Sequence, residues 1–337
     1  MKAQVIRQHG SIDDIRFEAD WPDPVAGPGE VVLRTERCTL NYHDLFTLRG
    51  MPGIRVPMPL IIGIDVAGTI ASIGDGVIGW EVGDRVVVDP VDREQGRLLG
   101  EMMDGGLAQL TKVAAHQLIR LDDRVSFDAA ASLAVAYGTA YRMMMTRGRI
   151  RPGDKVLILG ASGGVGTCCV QLAKMAGAHV IAAASTEEKL VRLRELGAAD
   201  TVNYQTQDWV RELRDRYGKP RFTGPSGGLD VVVNFTGGDT WVPSLRVLNR
   251  GGRVLTCGAT AGYDPKEDLR IIWTFELEIV GSNGWTRMEL LELLGLVAEG
   301  RLTPVVDRVV PLAEAPTALR LLESRQVFGK IAIAPQH

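Results

Sequence analysis

Cysteine is scarce in this 337-residue chain, and the four that occur, Cys38, Cys168, Cys169 and Cys257, form no C-x-x-C pair. That spacing excludes a disulfide framework and fits a reduced compartment. An excess of basic charge is also missing: 38 Lys and Arg stand against 41 Asp and Glu, for a net charge of −3. No electrostatic footprint for nucleic acid or an anionic membrane follows from such a balance. No run approaches the roughly 20 apolar residues that span a bilayer. The opening residues Met1–Gly10 are too polar for the core of a signal peptide. A cytoplasmic protein with neither a nucleic-acid nor a membrane partner is expected.

What is present is an ordinary globular composition, 45% hydrophobic and 23% charged, long enough for about two domains of roughly 150 residues. In the first 110 residues, short β-type runs such as Glu30–Thr35 and Arg85–Val88 alternate with clusters such as Pro22-Asp23-Pro24 and Gly27-Pro28-Gly29. Closely spaced strands punctuated in this way predict a barrel-like β unit. The rhythm changes near residue 127. Residues 127–148 read as helical, and strand patterns at 156–159, 180–183, 231–234, 253–256 and 277–280 then alternate with helical ones. Continuous apolar strands between helices imply a parallel sheet covered on both faces. Two amphipathic helices, 287–299 and 312–324, and a last strand at 330–333 complete the chain.

The strongest local motif follows strand 156–159: Gly160-Ala161-Ser162-Gly163-Gly164-Val165-Gly166, opening a helix. Glycines there let the backbone approach a pyrophosphate, while helix-terminal N–H groups face its charge. Ala161 takes the place of the first glycine of the usual pattern, so the strand–turn–helix context carries the assignment. The second strand ends Ala183-Ala184-Ser185-Thr186, with no acid before Glu187. A nucleotide site preferring NAD places Asp or Glu there. A small neutral end, with Ser185, Thr186 and Lys189 at hand, suits the 2′-phosphate of NADPH.

A series of short landmarks runs along the chain: Leu40-Asn41-Tyr42-His43-Asp44, Gly63-Ile64-Asp65-Val66-Ala67-Gly68, Gly83-Asp84-Arg85-Val86, Gly105-Gly106-Leu107-Ala108, Gly138-Thr139-Ala140-Tyr141, Gly163–Gly166, Leu196-Gly197-Ala198, Gly251–Val254 and Gly329-Lys330-Ile331. In this order and at this spacing they make the chain resemble the medium-chain dehydrogenase/reductase superfamily over essentially its whole length. The likeness is greatest to the zinc-independent quinone oxidoreductase branch. The resemblance implies an α/β architecture: a GroES-like β-barrel catalytic domain from residues 1–128 and 286–337, with a Rossmann domain, 129–285, inserted in it. It places Thr139, Ser162, Gly163, Gly164, Val165, Gly166, Ser185, Thr186, Lys189, Tyr204, Thr236 and Gly258 at the cofactor. It also implies a homodimer, with strand 277–281 at the edge where relatives pair their sheets.

Zinc-dependent relatives carry Cys, His and Cys where this chain has Asn41, Ile64-Asp65 and the neighbourhood of Val135. Their four-cysteine lobe falls on residues 89–106, which contain no cysteine. Zinc needs about four N, S or O ligands, so no metal site is expected. Catalysis then rests on hydrogen-bond donors that stabilise charge developing on the substrate oxygen. Asn41, Tyr42, His43 and Asp44 are the candidates, with His43 either a proton relay or a partner for Asp44. The expected activity is NADPH-dependent hydride transfer to a quinone or an α,β-unsaturated carbonyl. The competing readings are an alcohol dehydrogenase-like aldehyde or ketone reductase and a non-catalytic NADPH-binding sensor or structural protein. His116 reads as a surface residue near a strand end, and Cys168, Cys169 and Met143–Met145 as packing residues.

Overall fold

The computed structural model describes residues 1–337 as two compact units. Met1–Tyr137 joins Arg287–His337 in the first, and Gly138–Thr286 forms the second.

The first unit is built on a seven-stranded sheet. In it Leu118–Arg120, Arg85–Val88, Asp65–Ile73, Glu30–Thr39, Lys330–Ala334 and Val306–Pro311 lie side by side, and Leu110–Ala114 also pairs with Glu30–Thr39. The long strand Glu30–Thr39 is the hub, because register shifts along its pairing with Asp65–Ile73 curl it enough to serve three neighbours. Alternation buries one face: Val31, Leu33, Val66, Ile70, Val86, Val88, Ile331 and Ile333 share one core. The last strand, far away in the chain, closes beside the hub through Ala332 opposite Thr39. This pairing brings Lys330 next to Asn41.

The second unit is a six-stranded, all-parallel sheet. Its order is Asp200–Asn203, His179–Ala184, Lys155–Ile158, Leu229–Val233, Leu248–Thr256, Glu278–Gly281. The third, second, first, fourth, fifth and sixth strands thus follow one another, the order of a doubly wound nucleotide fold. Its central strands are apolar throughout because helices cover both faces; Val156–Ile158 and Val231–Val233 are fully buried. The strand Asp200–Asn203 and the helix Trp209–Tyr217 complete the fold between elements read from the sequence.

The helical run at 127–148 is not one regular helix. An α-helical turn, Phe127–Ala131, leads into π-helical turns at Leu133–Gly138 and Arg142–Arg147 around Thr139–Tyr141. Gly138 is packed so closely on Trp285 that a Cβ would lie 2.8 Å from its ring. Met143 and Met144 fill core space there, and Cys168 and Cys169 are buried packing residues. No helix is long and apolar enough to cross a membrane.

Candidate functional site

In the nucleotide unit the expected cofactor residues gather at the carboxyl ends of five adjacent parallel strands. Ser162–Gly166 follows Lys155–Ile158, Ser185 and Thr186 follow His179–Ala184, and Tyr204 follows Asp200–Asn203. Thr236 follows Leu229–Val233, and Gly258 follows Leu248–Thr256. The strand order reverses between the first strand, Lys155–Ile158, and the fourth, Leu229–Val233, where such sheets bind dinucleotides. Gly163 caps the helix Gly164–Met175, and its carbonyl accepts from Thr167 at 2.8 Å. Gly166 has to be glycine: a Cβ there would lie 2.5 Å from the Gly160 oxygen and 2.6 Å from Ala161. The loop therefore folds onto itself and leaves the first-turn N–H groups of the helix free for an anion.

Beyond the second strand, Thr186 accepts from Lys189 N–H at 3.3 Å and caps the helix Glu187–Leu196. That cap sets Lys189 in the first turn, beside the neutral strand end. Thr139 is half-buried in its short α-helical turn. Sequence reasoning missed Asn234, which fixes the loop carrying Thr236. Its buried side chain accepts from the N–H groups of Thr236 (3.0 Å) and Gly237 (2.9 Å) and donates to Thr240 and Ser244. An Asn closing an otherwise apolar strand is the signal that could have found it.

In the barrel unit, Asn41-Tyr42-His43-Asp44 opens the helix Tyr42–Arg49. Asp44 accepts from Asn41 N–H at 2.7 Å, tying off the first turn. The Asn41 side chain points away from that cap. Its amide donates to Asp65 (2.9 Å) and to the Thr39 carbonyl (3.3 Å), and its oxygen takes a short hydrogen bond from Lys330. Lys330 also donates to the Leu40 carbonyl (2.8 Å) and lies 3.3 Å from Asp65. The second Asp65 oxygen accepts from Val135 N–H at 2.9 Å. Both amide hydrogens of Asn41 are thus engaged within the protein, so this expected donor to the substrate acts as part of a buried frame.

The same geometry tests zinc. Asn41 stands where the zinc-dependent relatives carry a Cys, and the Ile64-Asp65 pair where they carry the His, yet an ammonium already sits against Asn41 and Asp65. Nowhere does the chain group three or more His, Cys, Asp or Glu side chains for a metal ion. The residues present do not fit the zinc of the metal-dependent relatives. The lobe at 89–106 is likewise held by charge. Buried Asp92 accepts from Arg97 (3.1 Å), His116 (3.2 Å) and the N–H groups of Glu94 and Gln95. Burial raises the Asp92 pKa, but the Gln95 N–H, Arg97 and His116 outweigh it and hold the carboxyl below its usual range. His116 is exposed near a strand end, as expected, and is also a member of this staple.

His43 has a partner the sequence did not reveal. Its Nε2 lies 2.5 Å from Oε2 of Glu101, a side chain only 4% exposed, while His43 itself is 30% exposed. Burial disfavours the charged ring, but Glu101 by hydrogen bond and charge, and Asp44 by charge, raise its pKa above the ordinary value. The expected alternative, a His43–Asp44 pair, is replaced by this one, because Asp44 turns back onto its own helix. Complete burial pushes the Asp44 carboxyl up to about 6, against the opposing pull of Asn41 N–H and Lys330. Tyr42 packs edge-on against Phe46, with ring centroids 5.3 Å apart, and borders the barrel core.

Comparison with known proteins agrees with both halves of this picture. The family described as "Alcohol dehydrogenase GroES-like domain" matches residues 27–123, and "Zinc-binding dehydrogenase" matches residues 164–299. A crotonyl-CoA reductase of Streptomyces avermitilis is 31% identical, over 94% of this chain and 82% of its own length. Among solved structures, an NAD-dependent alcohol dehydrogenase is 34% identical, with a TM-score of 0.90 over 99% of this chain and 100% of that one. A 2-octenoyl-CoA carboxylase reductase in complex with NADP and 2-octenoyl-CoA is 27% identical. Its TM-score is 0.86, over 99% of this chain and 87% of that one.

Proposed function

The chain belongs to the medium-chain dehydrogenase/reductase superfamily, in its quinone oxidoreductase-like branch, and from that premise we propose that it is an NADPH-dependent reductase of quinones or α,β-unsaturated carbonyl compounds that works without a bound metal. The observation that carries this reading is the Asn41–Asp65–Lys330 frame. It puts an ammonium and an amide where a zinc alcohol dehydrogenase needs metal ligands.

Without a Lewis acid to polarise an isolated carbonyl, conjugated substrates are favoured, because conjugation spreads the charge created by hydride addition. NADPH, when bound, supplies that hydride; the chain's residues position it and exclude water. Ser162–Gly166 cradle the pyrophosphate, and Ser185, Thr186, Lys189 and Tyr204 surround the 2′-phosphate. Thr139, Thr236 and Gly258 belong to the nicotinamide end. The two relatives named as CoA-thioester reductases support an enoyl thioester as one substrate class. The relative named as an NAD-dependent alcohol dehydrogenase supports a second reading, reduction of simple aldehydes or ketones with NADH. Localisation in the cytoplasm and a homodimer complete the proposal. The open edge strand Glu278–Gly281, with Ile279 46% exposed, supports the dimer.

Titration of chelator-treated protein with NADPH and NADH, then turnover of crotonyl-CoA, 3-buten-2-one, 1,4-benzoquinone and butanal, tests the reading. Tight NADPH binding with metal-free turnover of a conjugated substrate supports it. Turnover of butanal alone, or only after zinc is restored, overturns it in favour of the second reading.

A further inference from the structure

We propose that Glu101 is a positioning residue, holding the Nε2–H of His43 so that the opposite nitrogen, Nδ1, delivers the proton that completes reduction of the substrate. The inference deepens the proposed function and rests on it. It starts from the geometry of the pair. A carboxylate can only accept, so at 2.5 Å the Nε2 of His43 must carry the hydrogen. Nδ1 is then the nitrogen that gains and loses a proton. Glu101 is fixed independently of His43: its backbone N–H donates to Leu98 at 3.2 Å in the turn after strand Arg97–Leu98, and its side chain is buried. His43, by contrast, keeps part of its ring exposed. A buried carboxylate behind a partly exposed imidazole is the arrangement that orients a histidine for proton transfer.

No other side chain of the frame offers a proton so directly. Both amide hydrogens of Asn41 are engaged, Lys330 is buried against Leu40, Asn41 and Asp65, and Asp44 is fully enclosed. The charged groups facing the ring are Glu101 from the turn and Asp44 from its own helix. The balance for an enone is simple. The C=C bond takes a hydride, with its electron pair, at the β carbon from NADPH, and the π pair moves toward oxygen to give an enolate. The proton leaves Nδ1 of His43 for the α carbon, so two C–H bonds form, NADP+ is released and neutral His43 is reprotonated by solvent.

The rate then needs protonated His43 and falls as pH rises through its pKa. Removing the Glu101 charge lowers that pKa, so the falling limb should move to lower pH. For 3-buten-2-one, Glu101→Gln is expected to shift the alkaline limb of kcat down by about one unit. At pH values above the limb, kcat then falls about tenfold, with KM changed less than about twofold. Glu101→Asp should recover most of the shift. In free protein labelled with 15N-histidine, Nε2 of His43 should stay protonated across the titration while Nδ1 titrates, with His43→Gln assigning the signals. Superimposable pH profiles for wild type and a folded Glu101→Gln, or titration at Nε2, overturn the inference. Should Glu101→Gln not fold, the Glu101→Asp profile and the wild-type nitrogen titration decide it. Absence of wild-type turnover on every conjugated substrate overturns the proposed function instead, and the nitrogen titration still decides the pair.

Discussion

The nucleotide unit and the barrel unit build their polar centres from opposite materials. In the nucleotide unit the candidate site is mostly backbone and small side chains: glycines, Ser162, Ser185, Thr186 and the loop that Asn234 pins. In the barrel unit it is a frame of buried charges: Asp65, Lys330 and Asp44 joined by Asn41, and Glu101 paired with the partly exposed His43. A site made of backbone fails when an added atom blocks it. A frame of buried charge fails when one member is removed and its partner is left unpaired in low dielectric.

The sharpest test of that difference is Lys330→Met, which keeps the stem and deletes the ammonium. Asp65 would lose its only ionic partner while remaining fully buried, and breaking such a pair costs about 3–5 kcal/mol. Urea unfolding should show this loss, and the double variant Lys330→Met/Asp65→Asn should restore part of it. A loss under about 1 kcal/mol, the range of an exposed pair, would dissolve the contrast between the units.

Asp44 sharpens it through pH. Its carboxyl ionises near 6 in the folded chain against an ordinary value of 3.8, so the folded state holds the proton more tightly. The contribution is therefore full below about pH 4 and is lost as pH rises toward and through 6. The unfolding free energy of wild type should decline across that window by roughly 2–3 kcal/mol from this group. Asp44→Asn keeps an oxygen to accept from Asn41 N–H but cannot ionise, and its unfolding free energy should lack that decline. Parallel slopes in the two proteins would show that Asp44 is not the buried acid described.

The two units also differ in how far they can be read without a structure, for the same physical reason. A glycine loop between a strand and a helix is local, and the residues Gly160–Gly166 announce both its conformation and its ligand. The frame is assembled across the fold: His43 meets a partner 58 residues away, and Asn41 one 289 residues away. Nothing in the periodicity around Asn41 reports that the strand beginning at Lys330 will lie beside it. The lysine stands out in sequence as a charge at the start of an apolar strand, within the landmark Gly329-Lys330-Ile331, and Glu101 only as an acid between Leu98-Leu99-Gly100 and Met102-Met103. The resemblance marked the metal positions as changed, but only tertiary pairing shows what replaced the metal ligands. His116 shows the same limit, with its partner Asp92 lying 24 residues away in the chain.

In the nucleotide unit, Gly166→Val should act by obstruction. The new Cβ meets the backbone of Gly160 and Ala161, which cannot move aside as a flexible side chain would. A distortion of the order of core overpacking, about 1–3 kcal/mol, corresponds to NADPH binding weakened roughly 5- to 150-fold, read by nucleotide fluorescence titration. Unchanged affinity would mean that the loop has slack that its close contacts deny.

The smallest effect expected is also the most selective. Lys189 sits in the first turn behind the Thr186 cap, after a strand end that carries no acid before Glu187. If its ammonium meets the 2′-phosphate, Lys189→Ala should weaken NADPH about tenfold, near 1.4 kcal/mol, and leave NADH within about twofold. Raising the salt concentration should shrink the difference, since the contact is charged and near the surface. Equal losses for both nucleotides would mean that the lysine supports the helix and not the phosphate. Preference for NADPH would then have to come from Ser185, Thr186 and Tyr204, by hydrogen bonding alone.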